Sequence, residues 1–249
     1  MVRPSRFTLA LAAAFVLGIS ASAAAQRSGN GYLFHEPNAT LNVRGGYALA
    51  SAGSDIFEFA IDKLTLNKRD FSGFTLGGDV AFRLASRLDL TLDAGYSRSK
   101  KGSEFRNFVD NNDQPIQQTT TFERVPLTAN LKYYLSPPGR SVGNLAWIPA
   151  KFAPYLGAGG GAMWYRFRQV GDFVDFKTLN VFPSKMNSSD WTVVGQGMAG
   201  ADYSISPTMA LTADARYVWA KAGLSRDFGG FNRIDLSGVS ATVGLSFRL

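Results

Sequence analysis

The 249-residue chain contains no cysteine. That excludes a disulfide framework, a thiolate metal centre and the lipid-bearing cysteine that tethers a bacterial lipoprotein. Histidine is nearly absent too. The single one, His35, lies in a polar stretch with no serine in convincing reach, which argues against the Ser–His chemistry of acyl-cutting barrel enzymes and against omptin-like proteolysis. Beyond the first 25 residues no run approaches about 18 consecutive apolar residues, so helical membrane spans are excluded there. Basic helices and finger motifs are also missing, and the modest positive balance is too diffuse to argue for nucleic acid.

What is present begins with the leader. MVRPSRFTLALAAAFVLGISASAAAQ carries Arg3 and Arg6, an uncharged run from Phe7, and Ala23-Ala24-Ala25 before Gln26, the layout of a secretory signal peptide cleaved after Ala25. Its loss removes two of the 26 basic residues and none of the 19 acidic ones, a net charge of +5. The expected organisation is a signal peptide over 1–25, a periplasmic segment over 26–38 and a barrel over 39–249. Export then depends on the secretion and barrel-assembly machineries.

From residue 39 onward, apolar side chains recur at every second position with turn-like material between, the period of a half-buried strand. ATLNVRGGYALA sets Leu41, Val43, Tyr47 and Leu49 against Asn42, Arg44 and Gly46. FTLGGDVAFRL, LDLTLDAGYSR, VPLTANLKYYL, APYLGAGGGAMWYRF, WTVVGQGMAGADYSI and MALTADARYVWA follow, and SGVSATVGLSFRL is the eighth. Connections alternate between short and long, except for the longer SPPGRSVGNLAWIPAK. An even number of such strands with that rhythm predicts an all-β fold: an eight-stranded antiparallel up-and-down transmembrane β-barrel with both ends in the periplasm and long extracellular loops. A closed barrel must pair its last strand with its first, which explains why the alternating row runs to Leu249. A soluble lipocalin-like barrel would invert the parity, and the Asp and Arg residues on the opposite parity argue against it.

Aromatic residues support the lipid-spanning form. Tyr47, Phe74, Tyr96, Trp164, Trp191, Tyr217 and Trp219 fall at the outer strand ends on the apolar parity. At the inner ends lie Phe82, Tyr133, Phe152, Tyr203 and Phe247. Two girdles, one at each membrane interface, follow from a single assignment of strand direction. With its leader, its terminal VGLSFRL, its APYLGAGGGAMWYRF strand and AGADYSI, the chain resembles the small outer-membrane barrels of the OmpA-like and OmpW-like type. The resemblance implies residence in the outer membrane of a Gram-negative-type bacterium and a monomeric barrel. Members typically end in Phe or Trp, whereas here the ring is at Phe247 and the last residue is Leu249. No peptidoglycan-binding domain is expected after the barrel.

On the inward parity stand Arg44, Arg83, Lys132, Arg216 and Arg248 with Asp79, Asp89, Asp93, Asp202 and Asp214. Balanced charges in an eight-stranded interior should pair and fill it, giving a plugged structural or passive barrel. The alternative is a porin-like conduit or binding site for small hydrophobic molecules, a role the OmpW-like resemblance also implies. Met163, Val194, Met198 and Val218 would line its outer mouth beside Phe173, Phe176 and Phe182. An enzyme acting on lipids is the remotest reading. Outside the barrel, Arg98, Arg166, Arg168 and Lys221 sit beyond the outer girdle, placed to contact lipid headgroups, lipopolysaccharide included. No cofactor or metal is implied: DNND at 110–113 lacks the calcium-loop pattern and reads as a turn. In the first long loop, SDIFEFAIDKL has helical spacing, with Ser54 or Asp55 as cap, and is expected to pack on the barrel mouth.

Overall fold

The computed structural model describes residues 31–110, 113–143, 145–175, 178 and 180–249. The expected leader and Phe176 lie outside the described residues. Eight antiparallel strands close into a barrel: β1 (Ala39–Ala50), β2 (Gly73–Ala85), β3 (Leu88–Val109), β4 (Pro115–Tyr134), β7 (Phe152–Val174), β8 (Val181–Ser204), β9 (Met209–Trp219) and β12 (Gly238–Arg248). Each pairs with its neighbour in sequence order. β12 returns to β1 through a continuous register from Thr40 opposite Arg248 to Ala50 opposite Gly238. Where all eight strands run side by side the ring leaves no edge open, as a lipid environment requires; β3 beyond Arg98 and β8 before Gly195 continue without a β2 or β9 partner.

Alternation along the strands is sharp. Val43, Leu76, Leu127, Leu131 and Val243 are exposed on the outer face, while Asn42, Arg44, Thr128, Asn130 and Thr242 are buried inside. All the predicted girdle rings lie on the outer parity, exposed or half-exposed. Tyr47 stands opposite Phe74, Trp164 opposite Trp191 and Phe152 opposite Tyr203.

Strand lengths fall into two groups. β1, β2, β9 and β12 have 12, 13, 11 and 11 residues, close to one tilted crossing of a bilayer. β3, β4, β7 and β8 have 22, 20, 23 and 24. The surplus of about ten residues carries them roughly 33 Å further at 3.3 Å per residue. Two stretches read in the sequence as outer loops are therefore continuations of the sheet, rich in Thr, Ser, Gln and Lys rather than in lipid-facing apolar residues.

The two remaining outer connections fold inward. α1 (Asp55–Lys63) has Ser54 at its N-cap position, but the Ser54 side chain makes no capping bond and instead accepts from the Asp235 amide at 3.1 Å. Acidic Asp55 and Glu58 in the first turn and Lys63 in the last suit the helix dipole. Its apolar face buries Ile56, Phe57 and Ala60 in a cluster with Phe71, Phe122, Met163, Tyr165, Phe167, Val194 and Phe228. On the last outer loop, β10 (Lys221–Ala222) and β11 (Ile234–Asp235) form a small ribbon.

On the periplasmic side the long connection is a hairpin of β5 (Gly139–Val142) and β6 (Ala146–Pro149). It tucks Trp147 under the barrel, where the indole is buried and its backbone bridges Leu33. That floor was not legible as structure in SPPGRSVGNLAWIPAK.

Candidate functional site: the barrel interior

Inward positions of eight strands converge on an axis too narrow for bulk water, so polar groups there must satisfy one another. In the middle layer Arg44, from β1, reaches Asp79 on β2 at 2.9 Å and Asp93 on β3 at 2.6 Å. Arg216, from β9, meets the same Asp93 oxygen at 2.6 Å from the other side and forks onto Asp214, Nε to Oδ1 and Nη2 to Oδ2, both 3.0 Å. Asp214 also accepts from Thr242 at 2.7 Å and from the Tyr155 hydroxyl at 3.3 Å. All five ionic groups are almost wholly buried.

A second layer lies toward the periplasm. Lys132 donates to Asp202 at 3.0 Å and sits 3.8 Å from the Tyr155 ring centroid. Asp202 accepts from Tyr134 and Thr212 as well, each at 2.9 Å. Arg83 pairs with Asp89 at 2.5 Å and with Glu36 of the N-terminal segment at 2.8 Å. Arg248, expected in this network, has no carboxylate partner among the described residues. It donates to the carbonyls of Ser206 and Pro207 and to the Ser204 hydroxyl, and lies over Trp147. At the last position of β12, it reaches the β8–β9 turn rather than the axis.

Above the ions the lumen turns apolar. Met163, Val194 and Val218 enter the cluster sealed by α1. Phe57 meets Phe71, Phe122 and Phe167 edge-on with centroids 4.7, 5.4 and 5.6 Å apart. The predicted apolar mouth is thus filled by the chain's own first outer loop. Met198 is not at the mouth. It stands opposite Arg216, lower in the barrel, and its side chain occupies the space left by Gly157, where an added Cβ would come within 2.4 Å of the thioether methyl. Phe173 and Phe182 pair on the outer extensions of β7 and β8 instead of on loops.

Between the ionic and apolar layers a cavity of about 50 Å³ remains, with Arg44, Asp93, Arg124, Met163, Gln196 and Arg216 in its lining. That is room for water, against roughly 300–1,000 Å³ for a small-molecule pocket. Arg124 went unnoticed in the sequence although it shares the parity of Thr128 and Asn130. It is buried, donates to the carbonyls of Leu236 and Ser237 at 3.0 and 3.3 Å, and so ties the last outer loop to β4. Beside the cavity the β3–β4 ladder is interrupted: Ala94 pairs Leu127 and Ser97 pairs Arg124, but Gly95 and Tyr96 are unpaired to β4 where Pro126, without an N–H, faces them.

His35 is exposed at the periplasmic end. Of DNND, Asp110 accepts from the Gln114 amide at 2.8 Å and closes the β3–β4 hairpin, while residues 111 and 112 lie outside the described set. Among the described residues no group of three or more His, Asp or Glu is arranged to hold a metal ion.

The family described as outer membrane protein beta-barrel domain matches residues 11–247. Among solved structures, OprG from Pseudomonas aeruginosa is similar at 16% identity, over 87% of this chain and 98% of that one, with a TM-score of 0.49. Ail of Yersinia pestis is similar at 12% identity over 86% and 99%, TM-score 0.44, and Neisserial surface protein A at 15% over 85% and 97%, TM-score 0.41. No curated protein sequence matches the chain.

Proposed function

The chain belongs to the outer membrane protein beta-barrel family and resides in the outer membrane, and from that premise we propose that it is a structural, passive barrel whose lumen is closed to ions. The observation carrying this reading is the crossed ion-pair layer, in which Arg44 and Arg216 share Asp93 and between them engage Asp79 and Asp214. Such a layer blocks the axis with groups whose separation would strand charges in a low-dielectric interior. The α1 plug above it and Trp147 below it act in series. No catalytic role belongs to the proposal.

The test is conductance of the refolded protein in planar bilayers. Wild type is expected to be silent and Asp214→Ala to flicker open. Steady conductance in wild type would overturn the reading.

One observation favours a second reading, a conduit for small apolar molecules. The interrupted β3–β4 ladder places a seam at Pro126 between the inner cavity and the lipid-facing side chains of Leu76 and Tyr96. A solute admitted by lifting α1 could leave sideways there. Uptake of an apolar fluorescent probe by proteoliposomes, raised by Phe57→Ala and abolished by Pro126→Val, would favour the conduit. Equal uptake in all three proteins would remove it.

A further inference from the structure

The wall formed by β3, β4 and β7 carries a cationic cluster just outside the aromatic girdle. Val125, Trp164 and Trp191 make one outward row in register, with Trp164 opposite both others, and Tyr96, two residues before the paired Arg98, stands level with them on β3 without a ladder partner on β4. The next outward row is Arg98, Glu123, Arg166 and Ser189; the one beyond is Lys100, Thr121, Arg168 and Asn187. With strands about 4.8 Å apart and rows about 6.8 Å apart, four cations frame a patch on the order of 10 by 7 Å.

Glu123 is the single carboxylate on the outward face of these two rows. It is buried beneath its neighbours and takes Arg98 at 3.3 Å on one oxygen, beside the Tyr96 hydroxyl, and Arg166 on the other at 2.6 Å. One carboxylate therefore preorganises two guanidinium groups without neutralising the patch. Arg166 also lies 5.4 Å over the Trp164 ring. Lys100 is exposed, and the Nε of Arg168 is buried with no hydrogen-bond partner among the described residues. Asp190 alternates to the opposite face and accepts from the Trp191 amide, and the next outward acids, Glu104 and Asp172, stand two rows further from the membrane, beyond Lys185. Lys221 is separate, on β10 across β8.

From this arrangement we infer that Lys100, Arg166 and Arg168, with Arg98 at the edge, form a binding site for a phosphate group of an outer-leaflet lipid. Position selects a lipid over a soluble anion: the cluster begins one row above the tryptophans that mark the membrane interface, where acyl chains lie against Leu127 and Val193 below. Guanidinium groups held in a fixed fork match phosphate oxygens bidentately. The inference is independent of whether the lumen conducts.

The experiment is native mass spectrometry of the refolded protein with diphosphoryl lipid A, with the same lipid dephosphorylated, and with inorganic phosphate. Lys100→Gln/Arg168→Gln leaves the Glu123 contacts intact, and folding is checked by heat-modifiable electrophoretic mobility. Wild type is expected to retain diphosphoryl lipid A at least tenfold better than the dephosphorylated form, and the double variant to lose that preference. Arg168→Lys, which keeps the charge and loses the fork, should retain an intermediate preference and serves if the double variant does not fold. Equal retention of the two lipids by wild type, an unchanged preference in either variant, or equally strong binding of inorganic phosphate would each overturn the site as a lipid phosphate site.

Discussion

Arg216 Nη1, on β9, lies 2.6 Å from Asp93 Oδ2 across the barrel on β3 although 123 residues separate them, and Arg44, on β1 midway round the ring between them, reaches the same oxygen at 2.6 Å. A single carboxylate oxygen between two guanidinium groups makes Asp93 the hinge of the ionic layer.

Replacing Asp93 by Asn should therefore cost more than replacing any exposed charge, because two buried cations lose their shared partner. A loss of about 3–5 kcal/mol is expected. Urea unfolding in lipid vesicles, followed by tryptophan fluorescence, reads it; a change under about 1 kcal/mol would show that Asp79 and Asp214 suffice.

Phe57→Ala should unseat α1 while leaving the ring of strands closed. The residue is wholly buried among three other rings, and truncating such a phenylalanine costs about 3–5 kcal/mol locally. Trypsin should then cut after Lys63 at a rate well above wild type, with heat-modifiable mobility unchanged. Equal protection in the two proteins would mean that Asp55, bonded to Asn232 at 2.9 and 2.8 Å, holds the helix by itself.

Gly159 faces the lumen where β7 approaches β4 closely. A Cβ there would lie 2.1 Å from the Ala129 carbonyl oxygen and 2.5 Å from the Asn130 Cα, both backbone atoms that cannot swing away. Gly159→Val should push the two strands apart and lower the refolded fraction, at a cost of about 3 kcal/mol or more. Gly102→Ala, with nothing within 4 Å of its added carbon, is the matched control and should refold as wild type does.

Trp147→Ala should loosen the periplasmic floor. The indole is buried against the Leu33 bridge and beneath Arg248, so its removal is expected to cost about 3–5 kcal/mol. Hydrogen exchange should rise at the Leu33 and Trp147 amides, which bond each other's carbonyls at 2.9 and 2.7 Å, and not at Arg44 or Arg216.

Strand identity was written in the sequence because a bilayer demands it: a period of two, apolar outward, repeated eight times and ended by rings at each interface. That pattern set parity, strand order and the inward residues, Asp79, Asp93, Asp214 and Arg216 among them. Which carboxylate meets which guanidinium was not legible, since a barrel's shear places Arg44 against Asp93 only once the ring is closed. Arg248 illustrates the limit. Its parity was right, yet proximity to the strand end sends it to carbonyls of the β8–β9 turn.

Tertiary structure alone decided the rest. Polar alternation outside lipid carries no hydrophobic signal, so the outer halves of β3, β4, β7 and β8 read as loops. Met198 reads in the sequence as a mouth residue, but the β8–β9 register sets it level with Arg216, where its side chain fills the space beside Gly157. The cationic patch combines both sources: sequence parity put Arg98, Arg166 and Arg168 outside, and only the cross-strand register brought Lys100 to them and buried Glu123 in their midst. Local period fixes which way a side chain points; the closing of the sheet fixes whom it meets.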